Sequence, residues 1–298
     1  MTQEIVLSTP KLSVGILPEI GACLSFMRYT RAGQSRDILR PMDLSGRKLD
    51  ANNAALFPML PYAGRIRGGS FTYWGILRKV PKNHAGIADP IHGDGWKSAW
   101  RIVNRTNTSL TLFLAHDKKD SGFPFSYTAE LTYKLTDGNL DIQMKITNPS
   151  PLPMPCGLGV HPFFIKDKDV ELDFKTQLVW SNESDPIFDE PYPTPAPWRF
   201  DGGQPLKNAV FDTCFGGFEE QARITYPSRD LTINITTNEL FHHVVLFAPR
   251  GKNFFCLEPT TNASNAFNLA ADGVIGTGIR SIGPLQSLTG RITFKIEG

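Results

Sequence analysis

Apolar and polar residues alternate along several short stretches of the chain. These stretches are residues 110–114, 127–135, 140–146, 231–235 and 292–296. A period of two places every second side chain on the same face, which is typical of strands with one buried and one solvated face. No long stretch repeats apolar residues with the spacing of a helix, so the sequence predicts few and short helices.

The connections between these stretches favour antiparallel strands that follow one another. Thr136-Asp137-Gly138-Asn139 separates two of the stretches and predicts a hairpin turn. The 26 glycines and 23 prolines of the chain fit many further turns. Short strands with turn signals between them indicate an all-β fold, and we expect a large antiparallel β-sandwich with few short helices.

The length of the chain fits one large all-β domain over residues 1–298. A proline-rich segment, residues 185–197, is a candidate linker. Aromatic residues in and beside it favour an ordered loop within one domain instead; they are Trp180, Phe188, Tyr192 and Trp198. A division into two domains near residues 149–155 is the alternative.

Charge and apolar content exclude several classes of partner. The chain has 31 basic and 29 acidic residues, so no strongly basic face is required and nucleic acid is not implied as a partner. The N-terminus lacks the basic and apolar regions of a signal peptide, and no apolar run approaches the ~20 residues of a membrane span. We therefore expect a cytoplasmic protein with no membrane partner.

The four cysteines are far apart and form no Cys-x-x-Cys pair. They are Cys23, Cys156, Cys214 and Cys256. Their apolar or glycine-rich surroundings favour buried free thiols over disulfides or zinc ligands. His242 and His243 adjoin a predicted strand, so at most one of them points inward. No histidine or cysteine spacing indicates a metal site. There is also no phosphate-binding loop, dinucleotide fingerprint or nucleophile elbow, so nothing argues for covalent nucleophilic catalysis.

Two segments place a single ionisable side chain beside an apolar run and a proline. The apolar residues 254–257 predict a buried strand, and Glu258 follows at its expected end, just before Pro259. A carboxylate held where a strand meets a cleft is a candidate general base, and a surface glutamate is the alternative. His161 has the same setting, between Val160 and Pro162.

Three further polar residues lie in apolar or glycine-rich surroundings. Arg65 lies in a loop shaped by prolines and glycines, where its planar fork can bind a ligand or form a structural ion pair. His92 has small neighbours that leave room for a ligand, and the nearby Trp96 can supply a stacking face; a loop histidine without a role is the alternative. Asp212 stands among apolar residues, where a capping or turn role is the alternative.

Five segments in this order resemble the aldose 1-epimerases of the galactose mutarotase-like superfamily. They read FPMLPYAGRIRGG, IHGDGW, GVHPFF, FDTCF and CLEPTTNASNAFN. With looser matches at both ends, the resemblance covers nearly the whole chain. It implies a large antiparallel β-sandwich with an open cleft, a monosaccharide substrate, no cofactor and no metal, and a monomer or homodimer.

The resemblance also implies a role for each candidate residue. Glu258 matches the general base, His161 the general acid and His92 the second active-site histidine, while Arg65 and Asp212 match residues that hold sugar hydroxyls. Unperturbed glutamate and histidine titrate near ~4.3 and ~6.5. At neutral pH the glutamate is therefore a ready base, and the histidine needs a raised pKa, which a nearby carboxylate can provide.

One departure from the family pattern bears on the substrate. The family usually has an asparagine before the arginine of the first segment, and this chain has Gly64. The sugar is therefore open, and an epimerase of a phosphorylated or acidic sugar is the nearest alternative. A non-catalytic carbohydrate-binding protein is another, and so is a glycoside hydrolase with Glu258 and Asp212 as its carboxylates.

Overall fold

The computed structural model describes residues 3–45, 49–181, 190–207 and 209–298. The strands, in chain order, are β1 Ile5–Ser8, β2 Leu12–Leu17, β3 Cys23–Arg31, β4 Gln34–Asp37, β5 Leu56–Met59, β6 Ser70–Tyr73, β7 Ile76–Lys79, β8 Arg101–Arg105, β9 Ser109–His116, β10 Tyr127–Thr136, β11 Asn139–Thr147, β12 Met154–Cys156, β13 Gly159–Ile165, β14 Glu171–Phe174, β15 Leu178–Ser181, β16 Tyr192–Pro193, β17 Gln204–Pro205, β18 Phe211–Gly216, β19 Gln221–Tyr226, β20 Leu231–Thr237, β21 His243–Ala248, β22 Phe254–Thr260, β23 Arg280–Ile282 and β24 Ser287–Glu297. The one α-helix in this part of the chain is α1, Ala266–Ala271. Short 3₁₀ turns span Ala51–Asn53, Arg67–Gly69, Gly95–Lys97, Ala196–Trp198 and Pro227–Arg229.

The strands form two large antiparallel sheets. The first has eleven strands in the order β1-β2-β3-β5-β13-β22-β21-β18-β15-β16, with β4 paired to β3. The second has nine strands in the order β17-β14-β19-β20-β24-β11-β10-β9-β8. Two small pairs, β12 with β23 and β6 with β7, lie outside them. The predicted all-β fold with little helix is confirmed.

The alternating stretches become strands of the second sheet. β10 alternates buried and less buried residues along its length, and it pairs with β11 through the turn between Thr136 and Asn139. Gly138 supplies the positive φ of 86° that this turn requires. The predicted hairpin is therefore confirmed, and every second side chain of its two strands points into the core.

The main core contains the inward faces of both sheets. Phe164 of β13 and Phe255 of β22 are fully buried, and the Phe164 ring lies 6.2 Å from that of Phe294 in β24. Full burial of one such side chain contributes roughly 1.5–3 kcal/mol. Since side chains alternate along a strand, the neighbours of Phe164 and Phe255 on β13 and β22 point to the other face of the first sheet.

The expectation that a strand ends at Leu257 is wrong. β22 continues through Glu258 and Pro259 to Thr260, so the carboxylate lies inside a central strand and is only 2% exposed. The proline fits there because the ladder to β13 is interrupted: it pairs Thr260 with Gly159 and resumes only at Cys256 with Phe163. Pro259 keeps its pairing with Val244 of β21 on the other side.

The remaining sequence expectations have mixed outcomes. All four cysteines are buried free thiols, and of the adjacent histidines His243 is buried and His242 exposed, as predicted. In the proline-rich segment, residues 185–189, including Phe188, lie outside the described residues. Around it, Trp180 is buried, while Tyr192 and Trp198 pack against the core. Within the described residues, no helix is long and apolar enough to cross a membrane.

Candidate active site

Five neighbouring strands of the first sheet place one row of side chains on the face away from the core. Along this row Cys214 pairs with Val245, and Val245 pairs with Glu258. Glu258 contacts His161, and His161 pairs with Phe57. Residues far apart in sequence are thereby aligned across β18, β21, β22, β13 and β5, and they form the floor of a cavity.

A second row lies beside the first on the same face, because residues two apart on a strand share a face. Asp212 pairs with Phe247, Phe247 with Cys256, and Cys256 with Phe163. This row brings one carboxylate and two aromatic rings to the cavity floor, with the Cys256 thiol fully buried between them.

Two loops cover one side of this floor and are joined to each other by two hydrogen bonds. The backbone N–H of His92 donates to the carbonyl of Gly64 over 2.9 Å, and the N–H of Gly64 donates to His92 Nδ1 over 3.2 Å. Because Nδ1 accepts a hydrogen bond, the proton of the neutral imidazole lies on Nε2. Burial, together with His161 and Arg65 nearby, holds the pKa of His92 well below 6.5, so this ring stays neutral.

Rows and loops together enclose a cavity of about 310 Å³. All five residues singled out from the sequence line it: Arg65, His92, His161, Asp212 and Glu258. A cavity of this size and mixed lining is typical of small-molecule sites. Trp96 also lines it, but its ring stacks on Phe57 at 5.0 Å and is only 1% exposed, so it shapes the wall rather than offering an open stacking face.

Six further polar residues in this lining were not singled out from the sequence. They are Asn52, His84, Ser181, Thr260, Asn262 and Ser264. Asn262 is the most constrained of them, because its amide accepts from Ala63 N–H and donates to the carbonyls of Ala63 and Ala263. The run of polar residues after Pro259 was a signal for Asn262 and Ser264. No sequence signal pointed to Asn52 or Ser181, and the sequence around His84 indicated only a loop.

The His161 and Glu258 side chains contact each other directly. His161 Nε2 lies 3.1 Å from Glu258 Oε1, and both side chains are buried. The imidazole packs against the rings of Phe57 and Phe163, at centroid distances of 4.5 and 4.6 Å. These two rings restrict the orientation of the imidazole.

Burial shifts the pKa of each member of this pair away from its charged form. It raises the pKa of Glu258 well above 4.5, and the charge of Asp212 adds to the effect. Burial lowers the pKa of His161 to about 3, with a smaller contribution from Arg40. These directions are opposite to those expected from the sequence, because the cost of burying two charges outweighs their attraction. Both directions favour the uncharged pair, in which the proton between His161 and Glu258 lies on Glu258.

Arg65 and Asp212 face each other at a more open part of the cavity. Arg65 Nη2 lies 3.7 Å from Asp212 Oδ2, and the two side chains are 20% and 36% exposed. The backbone of Arg65 is fixed by a hydrogen bond, because its N–H donates to Ser264 Oγ over 3.3 Å. A guanidinium and a carboxylate side by side offer both donors and acceptors, which suits a ligand rich in hydroxyl groups.

The chain is similar to known proteins along nearly its whole length. The aldose 1-epimerase family model matches residues 3–278 of the chain. The uncharacterised Escherichia coli K12 protein YphB is 26% identical over 300 residues and covers 98% of both chains. The aldose 1-epimerase of the same organism is 31% identical over 111 residues, which are 36% of this chain and 31% of that protein.

A solved structure from Escherichia coli K12, provisionally described as an aldose 1-epimerase, superposes on this fold with a TM-score of 0.88. It covers 100% of this chain and 99% of its own at 24% identity, a likeness that establishes the fold. The family match spans nearly the whole chain. The chain therefore belongs to the aldose 1-epimerase family and is an enzyme of the epimerase type that acts on carbohydrates.

Proposed function

We propose that this enzyme interconverts the α and β anomers of a monosaccharide by opening and closing the sugar ring. The observation that carries the proposal is the buried His161–Glu258 pair, whose 3.1 Å contact lies on the floor of a cavity large enough for one sugar. Ring opening removes the proton from the C1 hydroxyl and delivers one to the ring oxygen. A pair that shares one proton meets both requirements without any other reagent.

The proposed cycle begins with the proton on Glu258. Hydrogen bonds from the bound sugar favour the carboxylate, and the proton crosses the hydrogen bond to His161. Glu258 then accepts the C1 hydroxyl proton while His161 protonates the ring oxygen, so the C1–O5 bond breaks and C1 becomes a carbonyl. Rotation about C1–C2 exposes the other face of the carbonyl, and the two residues reverse their roles to close the ring. Each such transfer typically contributes ~10²–10⁴-fold to the rate.

The remaining residues orient the sugar. His92 donates through Nε2–H, and its lowered pKa keeps this donor neutral. Arg65 and Asp212 bind hydroxyl groups with a donor and an acceptor. Asp212 has a second effect, because its negative charge raises the pKa of Glu258 and so strengthens the base.

The charges of the cavity favour a neutral sugar over a phosphorylated one. Among its described lining residues, Arg65 is the one lysine or arginine, and it already faces Asp212. A phosphate dianion would have to displace that carboxylate or remain beside it. A glycoside hydrolase is less well supported, because Glu258 contacts a histidine and the second carboxylate contacts an arginine.

Polarimetry on a panel of freshly dissolved aldoses tests this proposal. We expect the enzyme to accelerate the change in optical rotation of at least one neutral aldose above the spontaneous rate, in proportion to enzyme concentration. Binding of a sugar without any acceleration across neutral, acidic and phosphorylated aldoses would contradict the proposal and favour a carbohydrate-binding protein.

A further inference from the structure

A third potential metal ligand lies against the acid–base pair. The Cys256 sulfur, one ring nitrogen of His161 and one carboxylate oxygen of Glu258 all lie within 4.8 Å of one another. Cys256 and Glu258 are two residues apart on β22 and therefore share a face. We propose that these three side chains form a binding site for one thiophilic divalent cation such as Zn²⁺, and that the bound cation blocks the pair.

The spacing suits a tetrahedral zinc ion after a small adjustment. Zn–S bonds are ~2.3 Å and Zn–N and Zn–O bonds ~2.0–2.2 Å, so neighbouring ligand atoms are roughly 3.3–3.6 Å apart. The 3.1 Å between His161 Nε2 and Glu258 Oε1 is already close to that spacing. The sulfur lies at most 4.8 Å from the other two ligand atoms, so it has to approach them by no more than about 1.5 Å. Three protein ligands leave the fourth position for a water molecule.

The surroundings indicate a reversible inhibitory site rather than a permanent structural one. Structural zinc histidines usually donate their second N–H to a carboxylate or carbonyl. In the described part of the chain, the buried His161 Nδ1 has no hydrogen-bond partner. The ring is therefore available to a ligand but lacks the support that gives tight binding.

Metal binding by Cys256→Ser, with Cys156→Ser as the matched control, tests the inference. Cys156 is another fully buried thiol, but it lies in β12, outside the first sheet and outside the cavity lining. Added Co²⁺ should give a thiolate-to-cobalt charge-transfer band in the wild type and in Cys156→Ser, and none in Cys256→Ser. In calorimetry with Zn²⁺, Cys256→Ser should bind at least ~10–100-fold more weakly, the loss typical of even an outer partner.

Activity separates this inference from the proposed function. Zn²⁺ should slow anomer interconversion by the wild type and by Cys156→Ser, and a chelator should restore the rate. Cys256→Ala, measured against its own metal-free rate, should not be slowed by Zn²⁺. Circular dichroism of each metal-free variant verifies that it is folded. An absent cobalt–thiolate band, or equal loss in both cysteine variants, would overturn the site even if mutarotation is intact. A normal band together with no mutarotation of any sugar would leave the site standing and refute the proposed function.

Discussion

Gly64 is a position in the cavity lining where an added methyl group has a predictable effect. It adopts a φ of 73°, and a Cβ built there lies 2.9 Å from the backbone Cα of Ser264 and 3.3 Å from its Oγ. The asparagine usual in the family would meet the same obstacle. Ser264 occupies that space here, and its hydroxyl accepts the hydrogen bond from the Arg65 backbone.

The cost of Gly64→Ala has two parts that a control separates. A left-handed backbone costs an alanine roughly 1–2 kcal/mol. Forcing a methyl group into a filled space typically costs a further ~1–3 kcal/mol. Gly68, in the same loop, has a similar φ of 65° but nothing within 4 Å of its Cβ position. Gly68→Ala should therefore lower the free energy of unfolding only by the backbone contribution of roughly 1–2 kcal/mol. Gly64→Ala should lower it by about 2–5 kcal/mol, the sum of both contributions.

Urea unfolding of both variants measures these free energies, provided that the slope with denaturant stays constant. Anomer interconversion gives a second result, because Gly64 bonds His92 and precedes Arg65. Misplacing such groups by about 1 Å can cost ~10²-fold in rate, so kcat/KM should fall for Gly64→Ala and stay near wild type for Gly68→Ala. Equal stability of the two variants would refute the steric argument.

Other expectations concern the chemistry of the pair. kcat/KM reports the free enzyme, so the pH profile of kcat/KM should be flat near neutrality. In acid, kcat/KM should fall when the pair takes up a second proton, at a pH below the ordinary histidine pKa of 6.5. In alkali, kcat/KM should fall when the pair loses its shared proton. An acid limb at 6.5 would contradict the lowered pKa of His161. Glu258→Gln and His161→Asn should each lower the rate of anomer interconversion by at least ~10²-fold. The double variant should be only slightly slower than either single variant, since the effects of residues that act as a unit are not additive. Additive losses would show that the two residues have independent roles. A neutral hexose should be a better substrate than its 6-phosphate because Asp212 faces Arg65, and a preference for the phosphate in polarimetric rates would oppose this assignment.

Local pattern was sufficient for much of the fold but not for the strand that carries the base. β10 and β11 have one buried and one more exposed face, so their alternation is visible in the sequence. β22 is buried on both faces, with Phe255 and Leu257 towards the core and Glu258 towards the cavity, so it resembles a continuous apolar run. Pro259 then suggested a strand end, because the interrupted ladder that accommodates it depends on a distant strand.

The site residues also fall into those that local sequence could reveal and those that it could not. Arg65 and His161 have unusual local surroundings, and the structure brings both to one cavity. Ser181 and Asn52 have none, and they reach the cavity only through the order of strands and loops. The pKa directions of the pair could not be predicted from the sequence, because they depend on burial by side chains such as Phe57, which is far from both His161 and Glu258 in the chain.

Mutarotation by Glu258→Gln tests the proposed acid–base pair most directly. The amide keeps the size of the side chain but cannot accept the C1 hydroxyl proton. Glu239→Gln, at an exposed position, is the matched control. With a freshly dissolved α-aldose that the wild type converts, polarimetry should show at least a ~10²-fold loss for Glu258→Gln, unchanged activity for Glu239→Gln, and sugar binding by both. Near-normal mutarotation by a folded Glu258→Gln enzyme would contradict the account.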